Sequence, residues 1–171
     1  MNHVIEAQMS KFSKEHSLEG YEQDILFEKF SIFTIEQGCL NSSVDPLEIH
    51  FEGNEYGIDG ACVIVHGELI TDISQLEEGE LTIDRVEFHF FQSKTGSKFK
   101  SGDILKFYDS VEDFFKKTFK TKSDDLAALK QVSNYIFSNS GDLEYNPIIR
   151  LYYITTGNYK KPDDIEDLKL R

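Results

Sequence analysis

Apolar residues recur along this chain in two rhythms. Between Leu18 and Gln37, at about 100° per residue, Tyr21, Ile25, Ile32 and Ile35 fall on one stripe, and Leu26, Phe30 and Phe33 fall on a second, roughly opposite one. A helix apolar on two sides is packed on two sides. Gly38 ends it, and Asn41-Ser42-Ser43 with Asp45-Pro46 makes a loop. The period then shortens. Leu47-Glu48-Ile49-His50-Phe51 alternates and predicts a short strand, and Ala61 to Val65 predicts a second. His66-Gly67-Glu68 is expected to turn, and Glu68 to Thr71 to extend a hairpin. Residues 72–84 are acidic and loop-like, with Glu77-Glu78-Gly79-Glu80 as an exposed tip, and Val86 to Lys94 is the third strand.

The helical rhythm returns with Ile104, Phe107, Val111, Phe114, Phe115 and Thr118, capped by Ser101 or Asp103. A further helix runs from about Asp124 to Ser138, with Ser123 as its N-cap and Leu126, Leu129, Val132 and Ile136 on one face. Ile148 to Thr156 is a mostly apolar strand that reads as interior. Helix, three strands, two helices, strand is the order of an α/β domain. The first three strands pair as a meander, and the last, reached through a helical crossover, pairs in parallel with an earlier one. The result is a mixed sheet with helices on both faces. Residues 1–17 are expected to be a flexible segment, frayed or weakly helical. Residues 18–158 are expected to be the folded domain, and 159–171 a charged tail.

Composition narrows the class. A chain of 171 residues suits one sizeable domain, and fourteen Phe and eight Tyr with no Trp suggest a Phe-built core. No apolar run approaches the roughly 20 residues of a membrane helix, and the N-terminus lacks the features of a signal peptide, so the expected compartment is the cytoplasm. Cys39 and Cys62 lack the spacing of a zinc motif, and Cys62 is expected to be a buried thiol.

The net charge of −13 at first disfavours nucleic acid, but its distribution is uneven. Residues 1–91 carry 4 Lys/Arg against 19 Asp/Glu, whereas residues 92–122 carry 8 against 4. That basic segment, with Lys98, Lys100 and Lys106, is either a solvated helix face or a surface for nucleic acid.

Candidate chemistry gathers at the ends of two strands. Strand alternation puts Phe88, Phe90, Gln92 and Lys94 on one face and His89, Phe91 and Ser93 on the other. The Gln92 carbonyl oxygen suits a hard divalent cation, and the Lys94 ammonium can orient a water or stabilise charge on a phosphate. Asp59, between Gly57 and Gly60 at the mouth of the adjacent strand, supplies an anionic ligand. Glu28 falls within the first helical stripe. Either it is a site carboxylate facing the sheet, or the helix phase differs and it lies at the surface. The five His show no metal-ligand spacing, and His50, His66 and His89 read as structural or exposed. Ser93 lacks the partners of a nucleophile, and no phosphate-binding Gly loop occurs.

Glu28 on a first helix, Gly57-Ile58-Asp59-Gly60 at a strand start and Phe91-Gln92-Ser93-Lys94 ending the next resemble the PD-(D/E)XK nuclease superfamily, nearest its Mrr-type branch with Gln-x-Lys. Tyr56 to Gly67 and Phe90 to Phe99, followed by Ile104, Phe107 and Asp113-Phe114-Phe115, are similar to the amino-terminal region of abortive-infection phage-resistance (AIPR) proteins, over roughly residues 21–156.

The resemblance implies a restriction-endonuclease-like fold and an endonuclease that cleaves DNA, or RNA, with Mg²⁺ or Mn²⁺. Asp59, Gln92 and Glu28 would be metal ligands and Lys94 the catalytic lysine. Gln92 departs from the usual Asp or Glu and removes one negative charge. AIPR proteins are usually much longer, so further domains are expected, and a homodimer is open. A catalytically inactive module of the same fold, binding nucleic acid or a protein, is the alternative. An acidic mimic of nucleic acid is a third, resting only on the charge of residues 1–91.

Overall fold

The computed structural model describes residues 2–40, 45–53, 56–77, 83 and 85–157. The chain opens with two helices, α1 (His3–Glu15) and α2 (Gln23–Glu36), and a single helical turn, α3 (Pro46–Ile49). The strands β1 (Gly60–Val65) and β2 (Glu68–Ile70), a short helix α4 (Ser74–Glu77) and the long strand β3 (Val86–Lys94) follow. Helices α5 (Ser101–Phe115) and α6 (Asp124–Ser138) then lead to β4 (Ile148–Thr155).

The four strands form one mixed sheet in the order β2-β1-β3-β4, antiparallel throughout except for the parallel pair β3–β4. The expected mixed sheet and the parallel crossover are present. His66 and Gly67, with φ of 55° and 83°, supply the two left-handed positions of a tight turn between β1 and β2. Among the described residues, no helix is long and apolar enough to cross a membrane.

The core lies on both sides of the sheet. On one face Ala61, Val63, Val65, Phe88 and Phe90 pack with Phe107, Val111 and Phe114 of α5 and with Leu126, Leu129, Val132 and Ile136 of α6. On the other, Cys62, Ile64 and Phe91 meet Ile32 and Ile35 of α2 and Ile49 of α3. Gly60 is required there, because a Cβ would stand 2.7 Å from both the Ile32 side chain and the Ile49 carbonyl. The two stripes of α2 have two partners, as expected. Ile32 faces the sheet, while Phe30 and Phe33 meet Phe12 of α1 at ring separations of 5.6 and 5.1 Å.

Four expectations change. The N-terminal segment is a 13-residue helix with Met9 and Phe12 buried, and it covers the second stripe of α2. The strand expected at 47–51 is instead the turn α3, begun by a proline whose fixed φ suits a first helical position, and it ends in one bridge, His50 to Gly60. Helix α5 starts after Lys100 with no side-chain cap, whereas Ser123 caps α6 as expected, its Oγ accepting from Leu126 N at 3.3 Å. Among the described residues, strand β4 is an edge rather than an interior strand, and Ile148, Ile149 and Leu151 are exposed. The loop at 41–44, most of the acidic tip and the tail from 159 lie outside the described residues.

Candidate functional site

β1 begins at Gly60, paired with Phe91, while β3 runs on through Gln92, Ser93 and Lys94. Asp59 occupies the step where backbone pairing stops. Its N–H donates to Phe91 O at 2.9 Å, and its Oδ2 accepts from Ser93 N at 2.6 Å, so the side chain continues the ladder by one rung. The residue is only 2% exposed. Burial pushes its carboxyl up to about 6; the Ser93 bond opposes the rise, Glu28 adds to it, and Lys94 and His50 oppose it. Asp59, Glu28, Lys94 and His50 thus form one electrostatic neighbourhood.

Gln92 is 5% exposed. Its Nε2 donates to Gly57 O at 2.6 Å, and its Oε1 is buried with no hydrogen-bond partner. Gly57 has φ of 67°, and a Cβ there would stand 2.7 Å from the Gln92 nitrogen, so a larger residue would displace the Gln92 amide from this bond. Gln92 and half-buried Lys94 border a cleft of about 460 Å³, with Tyr56 on one side and Asp103, Lys106 and Asp109 of α5 on the other. The expected sharing of one face by Gln92 and Lys94 is what allows this. Asp59 and Glu28 do not border the cleft.

Glu28 follows neither sequence reading completely. Its side chain is largely buried and turns to His50, with Oε2 2.9 Å from Nε2, while His50 Nδ1 lies 3.1 Å from Lys29 Nζ. An ammonium only donates, so Nδ1 accepts and Nε2–H donates to Glu28. Lys29 is itself buried; desolvation pulls its pKa down, against Glu52, Glu28 and Asp45. Of the three expected nucleic-acid contacts, Lys98 and Lys100 are exposed in the approach to α5, and Lys106 borders the cleft.

Sequence reasoning missed His50 and Lys29 as partners of Glu28, because neither spacing nor alternation joins α2 to α3. It also missed Asp103 and Asp109. Their signal was available, since positions 103, 106 and 109 recur every three residues on one helix.

The donor type of the expected ligands suits a hard cation, although Glu28 is turned to His50 and neither it nor Asp59 borders the cleft. Asp59, Gln92 and Glu28 offer oxygen, and Gln92 Oε1 is a buried acceptor without a donor. Comparison with family models, curated proteins and solved structures finds no match for this chain.

Proposed function

We propose that this chain is a Mg²⁺- or Mn²⁺-dependent endonuclease domain of the PD-(D/E)XK type, acting on DNA in preference to RNA. The observation that carries the reading is the unpartnered Gln92 Oε1, buried beside Lys94 at a cleft and one rung from Asp59. A restriction-endonuclease-like fold is part of the same proposal, supported by the four-stranded mixed sheet and by the strands that carry these residues. A role in phage defence, and a longer parent protein, rest on the resemblance to AIPR sequences.

Asp59, Gln92 and Glu28 would hold the cation, which when bound neutralises charge on a phosphate and acidifies a water. Lys94 stabilises charge building on the scissile phosphate and orients the attacking water. Lys106 draws the nucleic-acid backbone to the cleft rim, with Lys98 and Lys100 extending the basic track. Desolvation raises the Asp59 carboxyl to about 6, so a cation held beside it would offset that cost.

Incubating supercoiled plasmid with Mg²⁺ or Mn²⁺ tests the activity. The protein is expected to nick and linearise it, and Asp59→Ala and Lys94→Ala to lose at least ~100-fold in rate. Equal cleavage by all three, or none by any, overturns the nuclease.

One observation favours a second reading, a non-catalytic module that binds nucleic acid or a protein. Gln92 already commits its amide nitrogen to Gly57, and the amide brings no charge to the site. Saturable Mn²⁺ binding lost in Asp59→Ala counts against that reading.

A further inference from the structure

We propose that Glu36, Cys39 and His89 form a second metal site, for a zinc-class transition ion, on the sheet face opposite the cleft. Glu36 is the last residue of α2, Cys39 lies in the turn after it, and His89 is at the middle of β3. Strand parity aims His89 at α2 and away from Gln92 and Lys94. One donor atom from each of the three residues lies within 4.8 Å of the other two.

A second observation points to a ligand. Glu36 is 0% exposed, and its Oε2 has no hydrogen-bond partner. A buried carboxylate oxygen left unpaired is costly, and a cation satisfies it. The imidazole is also suitably held. His89 Nδ1 lies 2.6 Å from Glu36 Oε1, and Nε2 faces Glu87 Oε2 at 3.4 Å. Glu87 is fixed in turn by Arg150, whose Nε donates to it at 2.6 Å. Nδ1 would ligate the metal while Nε2–H donates to Glu87, the carboxylate behind the imidazole that orients metal-bound histidines.

The donor set selects the ion. Thiolate and imidazole favour zinc over the hard cation suited to Asp59 and Gln92. On binding, the imidazole proton passes from Nδ1, where it faces Glu36, to Nε2, where it faces Glu87, and the Cys39 thiol releases its proton to solvent as the thiolate sulfur bonds the metal. Thiolate and carboxylate together balance the two positive charges. Cys39 also borders a cavity of about 400 Å³ with Arg85 and Arg150, from which a water or small anion completes four-coordination. Such a bound ion ties the end of α2 to the central strand.

Titrating the whole chain with Co²⁺ tests the site. The expected result is a saturable 1:1 thiolate-to-cobalt charge-transfer absorption that Zn²⁺ displaces. Cys39→Ser should abolish it, Glu36→Gln should weaken binding at least ~10-fold, and Cys62→Ala and Asp59→Asn should retain it. Zn²⁺ should raise the melting temperature of the parent protein but not of Cys39→Ser. Absence of a saturable band, or a band that survives Cys39→Ser, overturns the site. Cys39→Ser should still cleave plasmid if the nuclease proposal holds, so the two proposals fail separately.

Discussion

Asp59 is where stability and the proposed activity are set against each other. Its carboxyl is raised from 3.8 to about 6, so the folded state holds the proton more tightly than the unfolded chain. The cost of ionising it is therefore absent below pH 3.8, grows as pH rises to about 6, and is constant above. Asp59→Asn keeps an oxygen for Ser93 N and removes the charge. It is expected to stabilise the metal-free protein at pH 8 by on the order of 2–3 kcal/mol. Urea unfolding from pH 4 to pH 8 should show the gap between the two proteins widening up to about pH 6 and flat beyond; a gap independent of pH contradicts it. At this scale the sequence made part of the candidate site legible. Period-two alternation placed Gln92 beside Lys94, and a Gly-flanked Asp at a strand mouth marked Asp59. The Glu28–His50–Lys29 chain was not legible, because it joins two elements whose packing no local pattern encodes.

Among the elements, α1 carries the clearest consequence. Phe12 is buried between His16 and the rings of Phe30 and Phe33, so the first helix is part of the core and not an appendage. Phe12→Ala is expected to cost about 3 kcal/mol, measured by urea denaturation; a loss below about 0.5 kcal/mol would mean that α1 docks only weakly. Its polar composition hid it, since few large apolar residues suffice when the partner helix supplies an aromatic stripe. The elements that sequence placed best, β3, α5 and α6, have long unbroken periods. Short ones misled. Ile49 and Phe51 alternate with polar neighbours, yet they belong to different sides of the core and come from a helical turn and a loop. An apolar run also marked β4 as interior, although exposed Ile149 and Leu151 border a cavity of about 1040 Å³ with Phe137 of α6.

For the molecule as a whole, charge decides how nucleic acid would approach. An acidic first half repels a polyanion, while residues 92–122 attract one, with Lys106 at the cleft and Lys98 and Lys100 exposed just before α5. Orientation then comes from repulsion as well as attraction. Replacing the three lysines together by Gln should weaken DNA binding without destabilising the fold. The slope of log affinity against log salt should become shallower by up to about 3. An unchanged slope in fluorescence anisotropy across salt concentrations would place the nucleic-acid surface elsewhere.

The position of β3 also governs the order in which the chain can be assembled. One edge of β3 pairs with β1, already made, whereas the other waits for β4. Roughly fifty residues separate the end of β3 from the start of β4, which at ribosomal speed is a delay on the order of 3–10 s. For that interval an aromatic strand stands with a row of backbone groups open to any passing chain. The open edge of β3 thus invites mispairing after the candidate catalytic residues have all been made and before β4 has emerged.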